Sequence, residues 1–203
     1  FLWNAYTKLY YGLPYYWGGY DEKKMNTGMF EVLSDCWHSH NSWDGVNRLY
    51  YSGAYTAADE DGSRGDVRYN YIDDKAWSGI RAGWMFIENV DRVPDMDSAE
   101  KARLIAEAKV LIASRYFDMF RHFGGLPLVD KTYDVQAVYE VPRATAAATV
   151  EFMVGLLDAA INEPELPWSL GTDDSNWQGR FTKAAAMALK CKMLLFAASP
   201  LFN

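Results

Sequence analysis

Cysteine and histidine are scarce, with two of the first and three of the second in 203 residues. Cys36 and Cys191 cannot build a disulfide framework and have no metal-type spacing with each other, which leaves one bridge or two free thiols. No apolar run reaches the ~18 residues of a membrane-spanning helix, and the first residues lack the basic start and apolar stretch of a signal peptide. Clusters of Lys and Arg are also absent, and the net charge is −7. Phosphate binders gain affinity from clustered cations, so nucleic acid is excluded as a partner. No Gly-x-Ser-x-Gly elbow, phosphate loop or His-Glu-x-x-His helix occurs, and no cofactor is expected. A glycosidase needs two carboxylates roughly 5–10 Å apart across a cleft, and abundant acids do not supply that geometry. The chain reads as non-catalytic.

What is present is apolar and aromatic. Half the residues are apolar and 16% are aromatic, including eight Trp and fourteen Tyr, so a sizeable core can be buried. Trp77, Ile80, Trp84 and Ile87 recur at three- and four-residue steps and predict a helix over 73–93, closed by Pro94 and with both Trp in the core. A second helix starts at Asp97 or Ser98, where Asp97 and Glu100 form a capping-box pattern. It carries the stripe Ile105, Ala108, Ile112, Tyr116, Met119, Phe123 and stops at Gly124-Gly125. A third starts near Thr145 with Val150, Met153, Leu157 and Ala160 inward, and ends at Pro164 and Pro167. A fourth runs from Thr182 to Pro200, and its small-residue face of Ala184, Ala188, Cys191 and Leu195 is expected to admit a close neighbouring helix. Short connections predict antiparallel hairpins, with 98–123 and 145–161 as one pair and 182–198 opening the next. At the start, Leu2, Tyr6 and Leu9 already lie in a helical pattern at a chain that opens without Met, which reads as a fragment or processed product.

The segment Tyr15–Tyr71 holds no sustained period and reads as long loops, with one short helix near Asn47 to Ala54. It contains twelve Phe, Tyr or Trp in 57 residues. A sugar ring has an apolar face of C–H groups and a rim of hydroxyls, so aromatic platforms flanked by Asn, Asp and Arg suit it, each ring worth about 1–2 kcal/mol. Trp37, Asn41, Trp43 and Asp44, with Arg64, Arg68 and Tyr69, lie outside every amphipathic stripe and are the candidate ligand contacts. A loop Trp is more often a plug over a helical core, and turns use the same polar residues. Cys36, His38 and His40 alternate as zinc ligands do on an extended segment, but no fourth ligand can be placed. Asp59-Glu60-Asp61-Gly62 lacks the spacing of a calcium loop and reads as a solvated turn. His122, beside the Phe-Gly-Gly stop, is expected to favour the helix C-terminus as a cation.

Three stretches, in order, resemble the SusD/RagB family. Trp77-Ser-Gly-Ile80-Arg81-Ala82-Gly83-Trp84-Met-Phe86-Ile87-Glu88-Asn89 is similar to its I-R-x-x-N-x-F-I-E-N helix, with Trp84 in place of Asn. Ala106-Glu107-Ala108-Lys109 through Arg115-Tyr116-Phe117-Asp118 to Phe123-Gly124-Gly125-Leu126-Pro127-Leu128 resembles the AEA…YYFDL…FGG-x-PL run. There, Leu111-Ile112-Ala113 replaces a usual Leu-Arg-Ala. Gly179-Arg180-Phe181-Thr182-Lys183-Ala184 through Leu195-Phe196-Ala197-Ala198-Ser199-Pro200-Leu201-Phe202-Asn203 is similar to the GR-x-T-K-x-A…SPLFN helix.

The resemblance implies a mainly α, SusD-like fold of tetratricopeptide-type helical hairpins with long irregular ligand-facing loops. Residues 1–203 would be the N-terminal portion of one such domain. It further implies a lipoprotein of the outer membrane, held at the cell surface by a lipid anchor upstream of this chain. The implied partners are a SusC-like TonB-dependent transporter and a captured glycan, or in RagB-like members a peptide. A helical-repeat scaffold for protein partners is the alternative of a different class.

Overall fold

The computed structural model describes residues 2–9, 34–36, 38, 51, 53, 76–134, 136, 139–171 and 177–202. Among these residues the α-helices are, in order, α1 (Leu2–Tyr6), α2 (Ala76–Asn89), α3 (Ser98–Phe123), α4 (Ala146–Ile161) and α5 (Lys183–Ala197), with a 3-10 turn at Val90–Arg92 after α2. No strand occurs among the described residues, only an isolated antiparallel bridge between Pro127 and Arg143. The chain divides into two compact units, Tyr10–Ala76 and a helical unit of Phe1–Leu9 with Trp77–Asn203. The described part of the first is small: Ser34 Oγ accepts the Cys36 N–H at 3.3 Å, and the rings of His38 and Tyr51 stack at 4.4 Å. Of the expected short helix near 47–54, only Tyr51 and Gly53 are among the described residues.

Helices α3, α4 and α5 each begin where a short polar side chain occupies an extended residue. Asp97 accepts the Glu100 N–H at 2.7 Å, Thr145 the Ala148 N–H at 3.1 Å and Thr182 the Ala185 N–H at 3.3 Å. Each satisfies a donor that the first helical turn leaves open, worth about 1 kcal/mol. Gly124 ends α3 at φ 68, a left-handed conformation that a side chain disfavours, and its N–H returns to Phe120 O at 2.9 Å. The chain then passes so close to its own later segment that a Cβ on Gly125 would lie 2.0 Å from Ala144 O. Arg143 Nε closes the same turn by donating to Gly125 O at 2.6 Å, and its guanidinium also donates to Phe123 O.

Helix α3 is the centre of the helical unit. Its Leu104, Ala108 and Leu111 pack with Leu2, Ala5 and Tyr6 of α1, with Phe86 of α2 and with Val90. Ile112, where the family run has Arg, is fully buried, and a Cβ on Gly83 of α2 would come within 2.7 Å of it. An apolar side chain at that position needs no polar partner, and Gly83 gives it room. On the other side Tyr116 meets Phe152 of α4 edge-on at 5.1 Å, and Phe117 and Phe120 meet Phe196 of α5. Helix α4 also joins α5 through an ion pair from Lys190 to Asp158.

Three sequence expectations need correction. Trp77, expected in the core, is 41% exposed and touches Tyr116 only by an edge contact at 5.8 Å. Phe123 is likewise open to solvent, 43% exposed at the end of its helix. The face of α5 expected to receive a neighbour is the wrong one: Ala186 and Met193 are buried, whereas Ala188, Cys191 and Leu195 are exposed.

Candidate functional site

The candidate ligand contacts Trp37, Asn41, Trp43, Asp44, Arg64, Arg68 and Tyr69 all lie outside the described residues, as do His40 and the 59–62 turn. Of the alternating zinc-type set, Cys36 and His38 are described. Cys36 is an exposed free thiol, as is Cys191. Among the described residues, no three His, Cys, Asp or Glu side chains converge as a metal would require. Among the described residues, the helical unit is a frame held by two polar networks and leaves several aromatic rings open to solvent.

The frame is closed by a buried carboxylate. Glu107, fully buried on α3, accepts from Tyr6 Oη at 2.8 Å, from Arg180 Nε at 2.7 Å and from Arg103 Nε at 3.4 Å. Tyr6 Oη in turn accepts the Phe181 N–H at 3.0 Å. Burial, and next the Glu107 charge, raise the Tyr6 phenol well above its ordinary pKa, so it stays protonated and donates. Trp177 sits between the two guanidiniums, 3.8 Å from Arg103 and 4.3 Å from Arg180. A fully buried carboxylate engaged by two cations and a phenol ties together the elements that carry those donors. The cluster holds α1, α3 and the 177–181 turn together.

A second set of bonds pins the strap that follows Gly125. Trp84 Nε1 donates to Val129 O at 2.8 Å, Tyr116 Oη donates to Pro127 O at 3.0 Å and accepts the Val129 N–H at 2.7 Å, and Glu88 accepts the Thr132 N–H at 2.8 Å. Burial raises the Tyr116 phenol as it does Tyr6, which keeps that donor in place. The strap ends in Tyr133 and Tyr139, whose rings lie 4.4 Å apart, with Tyr139 47% exposed. Trp168, in the turn after Pro167, is 61% exposed. Neither Tyr139 nor Trp168 was among the sequence candidates, although both stand off every helical stripe, which was the signal available.

His122 departs from its expected charge. Partial burial, and secondly the adjacent Arg121, lower its pKa to about 4, so it is neutral at physiological pH and gives the α3 C-terminus no cation.

No protein-family model matches the chain, and no curated protein does. Solved structures match it over roughly three fifths of its length. A SusD-like protein from Bacteroides fragilis superposes at a TM-score of 0.53 with 32% identity, over 62% of this chain and 24% of its own. A laminarin-binding SusD-like protein gives 0.54 with 29% identity, over 62% of this chain and 26% of its own. The fold is SusD-like. Surface glycan-binding protein A from Bacteroides uniformis shares that fold at a TM-score of 0.56 with 22% identity, over 64% of this chain and 28% of its own. The chain thus spans about a quarter of the length of these SusD-like structures. The three family-like stretches fall on α2, on α3 with the turn after it, and on α5.

Proposed function

We propose that this chain is part of a non-catalytic, cell-surface glycan-binding protein that captures oligosaccharide and passes it to a TonB-dependent outer-membrane transporter. The observation that carries the reading is the SusD-like fold shared at 29% identity with a laminarin-binding protein. The residues of the frame support it. Glu107 and the strap bonds spend their polar groups on one another, a binding scaffold's arrangement and not that of a reacting centre.

Ligand contact belongs to the aromatic segment 15–71, with Trp37 and Trp43 as stacking platforms and Asn41, Asp44, Arg64, Arg68 and Tyr69 bonding to hydroxyls. Flat rings bury area at low entropy cost, so two or three platforms give useful affinity. A lipid anchor upstream of this chain would hold the protein at the outer surface.

Affinity electrophoresis of the full-length protein against plant, host and microbial polysaccharides tests this, with free peptides as competitors. Retardation by one glycan class, weakened about tenfold by Trp37→Ala or Trp43→Ala, is the expected result. Retardation unchanged in both variants moves the site elsewhere. Binding of peptides alone replaces the sugar reading with a peptide one, and loss of transporter binding with glycan retention intact identifies those rings with a protein scaffold.

A further inference from the structure

The strap between α3 and α4 ends in a loop that is firmly held and yet shows a ring to solvent. Glu88 of α2 accepts both the N–H of Thr132, at 2.8 Å, and its hydroxyl. Arg81, two turns earlier on the same helix, donates from Nη1 to Tyr133 O at 3.3 Å. Within the loop, Asp134 Oδ1 accepts the Gln136 N–H at 2.9 Å, and the Tyr139 hydroxyl accepts the Asp134 N–H at 3.3 Å. The Tyr133 ring backs the Tyr139 ring at 4.4 Å and 46°, and Tyr139 is still 47% exposed. A surface Tyr ordinarily loses rotamer freedom when a ligand covers it, but this one is already fixed by its hydroxyl at one end and by a neighbouring ring across its face.

The chemistry around the ring narrows what it could take. Arg81 and Lys131 are exposed, and so are Asp134 and Glu140, so two cations are offset by two carboxylates and neither an anionic nor a cationic ligand is favoured. An uncharged ligand with an apolar face and a rim of hydroxyls meets both parts of the surface: the open face of Tyr139 takes C–H groups, and the guanidinium and carboxylates bond the rim. Trp77, 41% exposed and one turn before Arg81 on the same side of α2, adds a second open ring beside that guanidinium. We propose that Tyr139, backed by Tyr133 and bordered by Arg81 and Trp77, is an auxiliary contact for one neutral sugar unit, carried by the helical unit in addition to the candidates on residues 37–69. This rests on the glycan-binding reading and gives it a second point of attachment, which strengthens retention of long chains more than of short ones.

Tyr139 reports on this contact without a mutation. The full-length protein is treated with tetranitromethane, alone and with an excess of laminarin, starch, pectin or mucin glycans, and nitration of Tyr139 is followed by peptide mass spectrometry. Tyr6 and Tyr116, both buried, serve as controls for folding. The expected result is ready nitration in the free protein, slowed about tenfold by whichever glycan retards the protein in affinity electrophoresis. Tyr139→Ala should weaken that retardation about fivefold, and Tyr139→Phe, which keeps the ring, should leave most of it. Nitration that the retarding glycan does not slow overturns the proposal, as does a Tyr139 that fails to react in the free protein, which means that protein already covers it. Unchanged retardation of Tyr139→Ala with weaker transporter binding also overturns it and assigns the ring to a protein partner. Retardation by none of the four glycans removes the glycan-binding reading itself, so the two failures are told apart.

Discussion

Helices α3 and α5 invite comparison because the less apolar of the two is the better buried. Twelve of the fifteen residues of α5 are apolar, yet two are buried; fifteen of the 26 in α3 are apolar, and thirteen residues are buried, Glu107 and Arg115 among them. Composition therefore does not set burial here. Position does: α3 is enclosed by α1, α2, α4 and α5, whereas α5 has neighbours on one side. The enclosed helix can hold charged side chains because each finds a partner, and the open one carries Met and Leu to the surface.

Substitutions sharpen that contrast. Glu107→Ala strips a buried acceptor from Tyr6, Arg103 and Arg180, and urea unfolding is expected to register a loss of about 3–5 kcal/mol. A loss below about 1 kcal/mol would mean that the cluster is solvated and α3 is not the enclosed element. Gly125→Ala places a methyl against the backbone at Ala144, and a cost of about 3 kcal/mol is expected from the same measurement. Thr145→Ala removes one N-cap on α4 and should cost about 1 kcal/mol, read as a drop in melting temperature. Leu195→Asp, on the open face, should change the stability of residues 1–203 by no more than about 0.5 kcal/mol; a large loss would show that that face is already covered.

His122 adds a pH dependence. Its pKa is lowered on folding from 6.5 to about 4, so the unfolded ring takes up a proton at a pH where the folded ring does not. Its contribution to stability is present above pH 6.5 and is lost as the pH falls toward 4. An NMR titration of the imidazole with a midpoint near 6.5 would contradict this.

Local chemistry was legible in the sequence. Asp97 and Thr145 cap the helices they were expected to cap, and Thr182, expected as the start of the fourth helix, caps it, because a cap depends on residues three positions apart. The mainly α, SusD-like frame followed from those caps, the stripes and the family-like stretches. Directions were harder to read. A stripe shows which side of a helix is apolar without showing what covers it, so Trp77 and Phe123 were assigned to the core. With apolar residues nearly all round α5, its small-residue face was chosen over the one that Ala186 and Met193 in fact bury. The Glu107 cluster was invisible, since Tyr6 and Arg180 lie 101 and 73 residues away and a Glu four residues after Arg103 is not thereby marked as enclosed. The candidate ligand residues on 37–69 lie outside the described residues, and their roles rest on the aromatic and polar pattern of that segment.

The hydrogen bond from Phe181 to Tyr6 spans 175 residues, nearly the length of the chain. During synthesis at about 5–20 residues per second, α1 therefore waits roughly 10–35 s after its own synthesis before the last part of its docking site exists. Throughout that interval Leu2, Ala5 and Tyr6 lack the part of their pocket that the 177–181 turn supplies, so α1 is locked in place only after that turn has been made.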